Sequence, residues 1–241
     1  MSLVNISTNK LTIGYADKVV QSNLTFEVQT GEVIALLGPN GSGKTTLLRT
    51  LAGLQPALSG VVTPALDAHN MALVLTERLS LENTSIHDVV AMGRYPYTSF
   101  LGGLTEEDER IIHQSLEAVG LVADSAYRFF NALSDGDKQR VLIAKALAQQ
   151  TNLILLDEPT AHLDLPNRIR IFGLLKELAH KEHKMVIIST HELDLALATC
   201  DRVLLFGASG SWIGKVDELK AVNAFEQAFQ MDIFKWFRPR S

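Results

Sequence analysis

Apolar and polar residues alternate in the first part of the chain and gather into short continuous runs further on. Alternation at 11–15 and 24–28 predicts strands that bury one face. The continuous apolar runs are too short for helices and predict strands buried on both faces. These runs lie at 33–37, 71–75, 153–157, 185–189 and 203–206.

A helical pattern dominates residues 84–150 and returns after the run at 153–157. Ser134 is expected to begin one helix that continues to about Gln149, and residues 165–180 are expected to form another. The second helix is predicted to bury a set of apolar residues at helical spacing: Ile169, Phe172, Leu175 and Leu178.

Strands that alternate with helices predict an α/β fold, with a largely parallel sheet covered on both faces. The chain length of 241 residues fits one domain with an insertion. We therefore predict a single domain at 1–241 that contains a helical subdomain at 84–150.

A glycine-rich stretch lies between the apolar run at 33–37 and the next helical pattern. It fits G-x-x-x-x-G-K-[ST], the phosphate-binding loop of nucleotide triphosphatases. In such loops, backbone N–H groups and a helix N-terminus together bind anions. Lys44 is expected to reach the β- and γ-phosphates, and the Thr45 hydroxyl to bind Mg²⁺. The predicted nucleotide-binding residues are Gly38, Pro39, Asn40, Gly41, Ser42, Gly43, Lys44, Thr45 and Thr46.

Two adjacent acids, Asp157 and Glu158, end the apolar run at 153–157. Ligands of open α/β sheets bind at the carboxyl ends of the strands, so both acids are expected to face the nucleotide. Asp157 is expected to bind Mg²⁺, directly or through water. Glu158 is expected to be the general base that polarises the attacking water.

Composition narrows the class of protein. A net charge of −5 argues against a nucleic-acid-binding protein that works by bulk charge. Cys200 is the single cysteine, which excludes an internal disulfide. The sequence has no apolar run of the roughly 18–20 residues that cross a bilayer. We therefore expect an intracellular protein that reaches a membrane only through a partner.

With these motifs in place, the chain resembles the ATP-binding subunits of ABC transporters over nearly its whole length. Residues 133–140 (LSDGDKQR) stand where that family has its L-S-G-G-Q signature, and residues 161–164 match its loop across the dimer interface. His191 matches the family's switch histidine, and Tyr15 stands where an aromatic ring stacks on adenine.

The resemblance implies a P-loop nucleotide triphosphatase core of the ABC ATPase type, with an antiparallel β subdomain and an inserted helical subdomain. It implies a homodimer in the ATP-bound state, in which Ser134 and Gly136 of one chain contact the ATP held by the other. Glu158, His191 and Lys44 would be catalytic, with ATP and Mg²⁺ bound. Transmembrane permease subunits and, indirectly, a substrate-binding protein would be partners at the cytoplasmic face of the inner (plasma) membrane.

Two motifs depart from the family pattern. Thr76 stands where the family has a glutamine that meets Mg²⁺. The signature carries two extra acids, Asp135 and Asp137, which would repel a triphosphate if they pointed at it. We expect them to point away or to pair with bases such as Lys138 and Arg140.

The element G-R-x-P at 93–96, followed by T-E-E-D at 105–108, is similar to importers of iron–siderophore complexes, haem and cobalamin. In that interpretation Arg94, Tyr95 and Tyr97 contact the permease, although a generic loop between helices is an alternative. The predicted function is ATP hydrolysis that powers such an importer. Two alternatives stay open: a soluble ABC-type ATPase, for example in iron–sulfur cluster assembly, and a nucleotide-binding regulator with impaired hydrolysis.

Overall fold

The structure, a computed structural model, describes residues 5–66, 69–75, 81–98, 103–121, 126–208 and 210–236. Its strands are β1 (Asn5–Tyr15), β2 (Lys18–Gln29), β3 (Val33–Leu37), β4 (Ser59–Thr63), β5 (Met71–Val74), β6 (Leu153–Asp157), β7 (Met185–Ser189), β8 (Arg202–Gly207) and β9 (Gly210–Gly214). Its α-helices are α1 (Lys44–Leu51), α2 (Ile86–Ala91), α3 (Glu106–Ala118), α4 (Asp135–Ala148), α5 (Leu165–His180), α6 (Leu193–Thr199), α7 (Val216–Ala221) and α8 (Ala224–Phe229).

The larger sheet has the strand order β5-β6-β7-β3-β8-β9, and all its neighbours are parallel except the pair β8 and β9. Side chains of β3 alternate between two cores: Val33, Ala35 and Leu37 belong to one, while Ile34 and Leu36 belong to the other. The prediction of a largely parallel sheet covered on both faces is confirmed. The carboxyl ends of β3, β6 and β7 consequently meet at one edge.

A smaller antiparallel sheet, in the order β2-β1-β4, covers one face of the larger sheet. Its buried residues, such as Ile6, Leu24 and Val28, pack in the same core as Leu47 and Leu48 of α1. The antiparallel β subdomain implied by the resemblance is therefore present, and it lies beside the helix that begins at the glycine-rich loop.

The helix at 165–180 has the predicted bounds, but one of its predicted core residues is wrong. Ile169 is 52% exposed, whereas Phe172, Leu175 and Leu178 are buried. Steps of three residues fall about 60° short of a full turn, so after three such steps Ile169 lies about half a turn away from Leu178. Ile171 takes the buried position in its place.

The range 84–150, predicted as a helical subdomain, contains α2, α3 and α4, with a 3-10 helix at Met92–Tyr97 between α2 and α3. Arg94 in that 3-10 helix is only 5% exposed. Its Nε donates to Asp108 Oδ1 at 2.7 Å, and its Nη1 donates to the Ala148 carbonyl at 2.8 Å. The interpretation of Arg94 as a permease contact is therefore wrong, because its guanidinium is occupied inside the protein. Tyr95, its neighbour, is exposed.

Among the described residues, no helix combines the length and apolar character that crossing a membrane requires.

Candidate functional site

The glycine-rich loop lies between the carboxyl end of β3 and the N-terminus of α1, in the order that the motif requires. Gly38 (φ +152°) and Gly43 (φ +103°) adopt backbone conformations that other residues rarely adopt. A Cβ on Gly38 would lie 2.5 Å from the Phe206 carbonyl oxygen, so only glycine fits there. Gln21 fixes the loop from outside, since its Nε2 donates to the carbonyls of Ser42 and Gly207 at 3.1 Å each.

Gln21 is a supporting residue that sequence reasoning missed. It lies on β2 as a buried polar residue within an alternating strand pattern, and that pattern gives no sign of its contacts. Only the packing of the small sheet beside the loop reveals its role.

Donor groups converge inside the loop. The buried Lys44 donates from Nζ to the carbonyls of Gly38 at 3.0 Å and Pro39 at 3.3 Å. Burial lowers the pKa of Lys44 from its usual value, while the charges of Glu158 and Asp157 oppose that shift. The Ser42 hydroxyl oxygen is buried and has no hydrogen-bond partner among the described residues. A buried hydroxyl without a partner is costly, and an anion in the loop would satisfy it.

Oxygen groups from three elements meet at the edge of the sheet. Thr45, in the first turn of α1, donates its hydroxyl to Asp157 Oδ2 at 2.8 Å. Ser189, paired with Asp157 across β6 and β7, donates its hydroxyl to Asp157 Oδ1 at 2.5 Å. The carboxylate of Asp157 is buried. Hydroxyl and carboxylate oxygens are the hard ligands that Mg²⁺ prefers, so this donor set fits the metal predicted for Thr45 and Asp157.

Glu158 and His191 form a pair next to this cluster. His191 Nε2 lies 2.8 Å from Glu158 Oε1, and both side chains remain partly exposed. Glu158 has a φ of +47°, a conformation that is sparsely populated for a residue with a side chain. Its backbone N–H donates to the Ser189 carbonyl and hydroxyl at 3.0 Å each, and these bonds hold that backbone conformation in place.

The signature residues begin α4. Ser134 caps the helix, since its hydroxyl accepts from the Asp137 N–H at 3.2 Å and donates to Asp137 Oδ2 at 2.9 Å. Asp137 also pairs with Arg140, and Asp135 Oδ1 lies 3.9 Å from Lys138 Nζ. The expectation that both extra acids pair with bases is confirmed.

An open cavity of about 430 Å³ lies between the signature and the loop that follows β6. Its lining consists of Ser134, Asp135, Gly136, Asp137, Arg140, His162, Leu163, Asp164 and Asn167. None of these residues belongs to the glycine-rich loop at 38–46. Within the part of the chain that the structure describes, the signature therefore faces a space separate from the phosphate loop.

Two further predicted site residues belong to none of the clusters described above. Tyr15, at the end of β1, is 56% exposed, so its ring can accept a stacked base. Thr76, predicted to meet the metal, lies outside the described residues.

A family model described as "ABC transporter" matches residues 21–161. The chain is 35% identical over 240 residues to the iron(3+)-hydroxamate import ATP-binding protein FhuC of Bacillus subtilis (strain 168), covering 95% of this chain and 88% of that protein. It is 34% identical over 213 residues to the cobalamin import ATP-binding protein BtuD of Halobacterium salinarum (strain ATCC 29341), covering 84% of this chain and 52% of that protein.

Two solved structures are similar to the whole fold. One is an ABC transporter assigned to the metal-chelate type, in an inward-facing conformation. It superposes with a TM-score of 0.84 at 30% identity, and the match covers 94% of this chain and 89% of the transporter's chain. The other is the ATP-binding cassette MJ0796, as a dimer bound to ADP and Pi after hydrolysis. It superposes with a TM-score of 0.76 at 25% identity, and the match covers 88% of this chain and 98% of the cassette's chain.

Proposed function

The chain belongs to the ABC transporter family as one of its ATP-hydrolysing subunits, and from that premise we propose that it powers an importer of iron–siderophore complexes, haem or cobalamin. The observation that carries the proposal is the cluster at one sheet edge, where the phosphate loop, Asp157 and the Glu158–His191 pair meet. The names of the relatives support an iron chelate or a corrinoid as the transported substrate.

The phosphate loop binds the triphosphate through three kinds of donor. Backbone N–H groups at the start of α1 point towards the anion, and the helix dipole adds to their attraction. Lys44 exchanges its carbonyl acceptors on Gly38 and Pro39 for phosphate oxygens. The Ser42 hydroxyl, which is without a partner among the described residues, donates to the phosphates as well. The exposed ring of Tyr15 stacks on the adenine.

Thr45 and Asp157 are the residues that would hold Mg²⁺, with Thr76 as a further predicted contact. When bound, the metal neutralises charge on the β- and γ-phosphates. Ser189 has a supporting role, because its hydroxyl orients the Asp157 carboxylate from the neighbouring strand.

Glu158 takes a proton from the water that attacks the γ-phosphorus, while the bond to the departing ADP oxygen breaks. This is the general-base role, and it needs a carboxylate held within hydrogen-bond distance of the water. The pair with His191 orients the Glu158 side chain towards the phosphates. His191 would also contact the γ-phosphate, which ties the catalytic geometry to the presence of ATP.

The dimer follows from the separate cavity at the signature. Ser134 and Gly136 line a space with no residue of the phosphate loop, so a second copy would supply the nucleotide that they contact. In the ATP-bound homodimer, two chains then enclose two ATP molecules. Because each closed site needs both chains, ATP binding favours the closed dimer by mass action. We place this dimer on permease subunits at the cytoplasmic face of the inner (plasma) membrane, with a substrate-binding protein acting indirectly.

Uptake assays test the proposal in cells whose own copy of the gene is deleted. Wild-type chain is expected to restore uptake of radiolabelled iron–siderophore, haem or cobalamin, and Lys44→Met is expected to leave uptake at background. Losing hydrogen bonds from a charged donor costs about 1.5–3 kcal/mol, or roughly 10- to 150-fold in ATP affinity. Lys181→Met is the matched control, because Lys181 is exposed and forms an exposed ion pair with Glu177 at the C-terminal end of α5.

If the deletion cells take up all three substrates normally without the wild-type chain, the import role is contradicted. If purified chain still hydrolysed ATP in that case, the soluble ABC-type ATPase would replace the importer as the interpretation.

A further inference from the structure

Arg168, in the first turns of α5, joins two loops that come from different strands. Its Nε donates to the Leu163 carbonyl at 2.7 Å, and its Nη1 donates to Glu192 Oε1 at 2.5 Å. Leu163 lies in the loop between β6 and α5, and Glu192 follows β7. The side chains of Arg168 and Glu192 are 30% and 28% exposed, so the ion pair is partly shielded from water.

Both loops also lead back to the catalytic pair. Glu192 is next to His191, whose Nε2 contacts Glu158. The other loop starts at Glu158, where the Ala161 N–H donates to the Glu158 carbonyl at 3.2 Å. Arg168 therefore closes a ring of contacts through Glu192, His191, Glu158 and the 161–164 loop. We call this ring the Arg168 latch.

The opposite side of the 161–164 loop faces the signature. A Cβ on Gly136 would lie 3.1 Å from the His162 carbonyl oxygen, so the two segments are nearly in contact. His162, Leu163 and Asp164 line the same cavity as Ser134. One side of the latch thus holds the chain's own catalytic pair, and the other borders the space for a second chain's nucleotide.

We propose that Arg168 is a positioning residue that couples the two nucleotide sites of the dimer. By joining the His191–Glu192 segment to the 161–164 loop, Arg168 makes them move together, so ATP at one site changes the cavity offered to the other ATP. This inference rests on the proposed function, because it needs ATP hydrolysis by two enclosed sites.

Arginine suits this task because its guanidinium presents separate N–H donors in a rigid plane. One edge reaches a carbonyl while another reaches a carboxylate. Lysine has a single charged nitrogen on a flexible stem and cannot hold both acceptors in the same geometry. A partly exposed ion pair adds little to folding, so the latch should act mainly on coupling rather than on stability.

The test measures the ATP dependence of phosphate release by purified chain under conditions where it dimerises, for wild type, Arg168→Met and Arg168→Lys. The Hill coefficient is expected to be about 2 for wild type, the limit set by two sites, and to be lower for both variants, because only the closure of the dimer by two ATP molecules then links the sites. ATP affinity of the monomeric chain is expected to stay within about twofold, since Arg168 lies outside the phosphate loop. Arg110→Met is the control, because Arg110 pairs with Glu107 on the exposed surface of α3.

A second variant separates coupling from damage to α5. Glu192→Ala removes the acceptor of the Arg168 guanidinium without changing a residue of α5, and it is expected to lower the Hill coefficient as Arg168→Met does. The double variant is expected to show no further loss, because residues in one network have non-additive effects.

The outcomes distinguish the latch from the proposed function. Hydrolysis with an unchanged Hill coefficient in Arg168→Lys and Glu192→Ala would overturn the latch and leave the ATPase standing. A wild-type Hill coefficient of about 1 would also overturn it. Absence of hydrolysis by the wild-type chain would overturn both proposals.

Discussion

Glu158→Gln is expected to lower ATP hydrolysis by about 10²- to 10⁴-fold, the usual contribution of a general base, while leaving ATP bound. Glutamine keeps the size of the side chain and one acceptor oxygen for His191, whose Nε2 lies 2.8 Å from Glu158 Oε1 in the wild type. Its neutral amide cannot take the proton of the attacking water. Hydrolysis therefore fails while the phosphate loop keeps its donors.

Single-turnover phosphate release and equilibrium ATP binding measure the two effects separately. Glu177→Gln is the control, because Glu177 forms an exposed pair with Lys181 on the opposite end of α5 from the catalytic loop. Phosphate release by Glu158→Gln within about threefold of wild type would assign the general base to another group.

Arg94→Met is expected to destabilise the protein by about 3–5 kcal/mol, the usual cost of removing one partner from a buried ion pair. Arg94 also donates to the Ala148 carbonyl and to Gln150 Oε1, and its guanidinium lies 4.2 Å from the centre of the Tyr97 ring. Methionine fills part of the space but leaves the buried Asp108 charge without its cation. For a domain of this size, the melting temperature should fall by about 2–4 °C per kcal/mol.

Arg110→Met is the matched control, because the pair between Arg110 and Glu107 lies on α3, as Asp108 does, but is exposed. Its loss should change stability by at most about 1 kcal/mol. Urea denaturation of both variants compares the free energies of unfolding. Equal losses in the two would contradict the structural role given to the G-R-x-P element.

The stabilisation from Asp108 should also depend on pH. Its pKa is lowered to about 2 because the Thr105 backbone N–H and hydroxyl, and then Arg94, donate to its carboxylate. A folded-state pKa below the unfolded value of about 3.8 gives stability that is present above pH 4 and lost as pH falls towards 2. The stability difference between wild type and Asp108→Asn should therefore narrow over that window. A constant difference from pH 5 to pH 2 would contradict this assignment.

The nucleotide site could be predicted from the sequence because the function of its motifs needs particular residues in a fixed order. Lys44, Thr45 and Asp157 follow directly from the loop motif and from the end of an apolar run. Their convergence at one sheet edge required only the rule that parallel strands end together.

Contacts between distant segments could not be read in this way. A permease contact was predicted for Arg94 because arginine is enriched at protein interfaces, yet Asp108 and the end of α4 enclose it. Gln21 and Arg168 carry no local signal, since their acceptors lie on other elements. Ile169 was misplaced because spacing by threes drifts around the helix, and only the packing of α5 selects the buried face.

Co-purification tests the central claim most directly. Tagged Glu158→Gln chain would be isolated from detergent-solubilised membranes with ATP and Mg²⁺ present, and the bound proteins would be identified by mass. We predict recovery of a polytopic permease at equal stoichiometry with the chain. Recovery of soluble partners alone, or of no partner, would contradict the assignment to an importer.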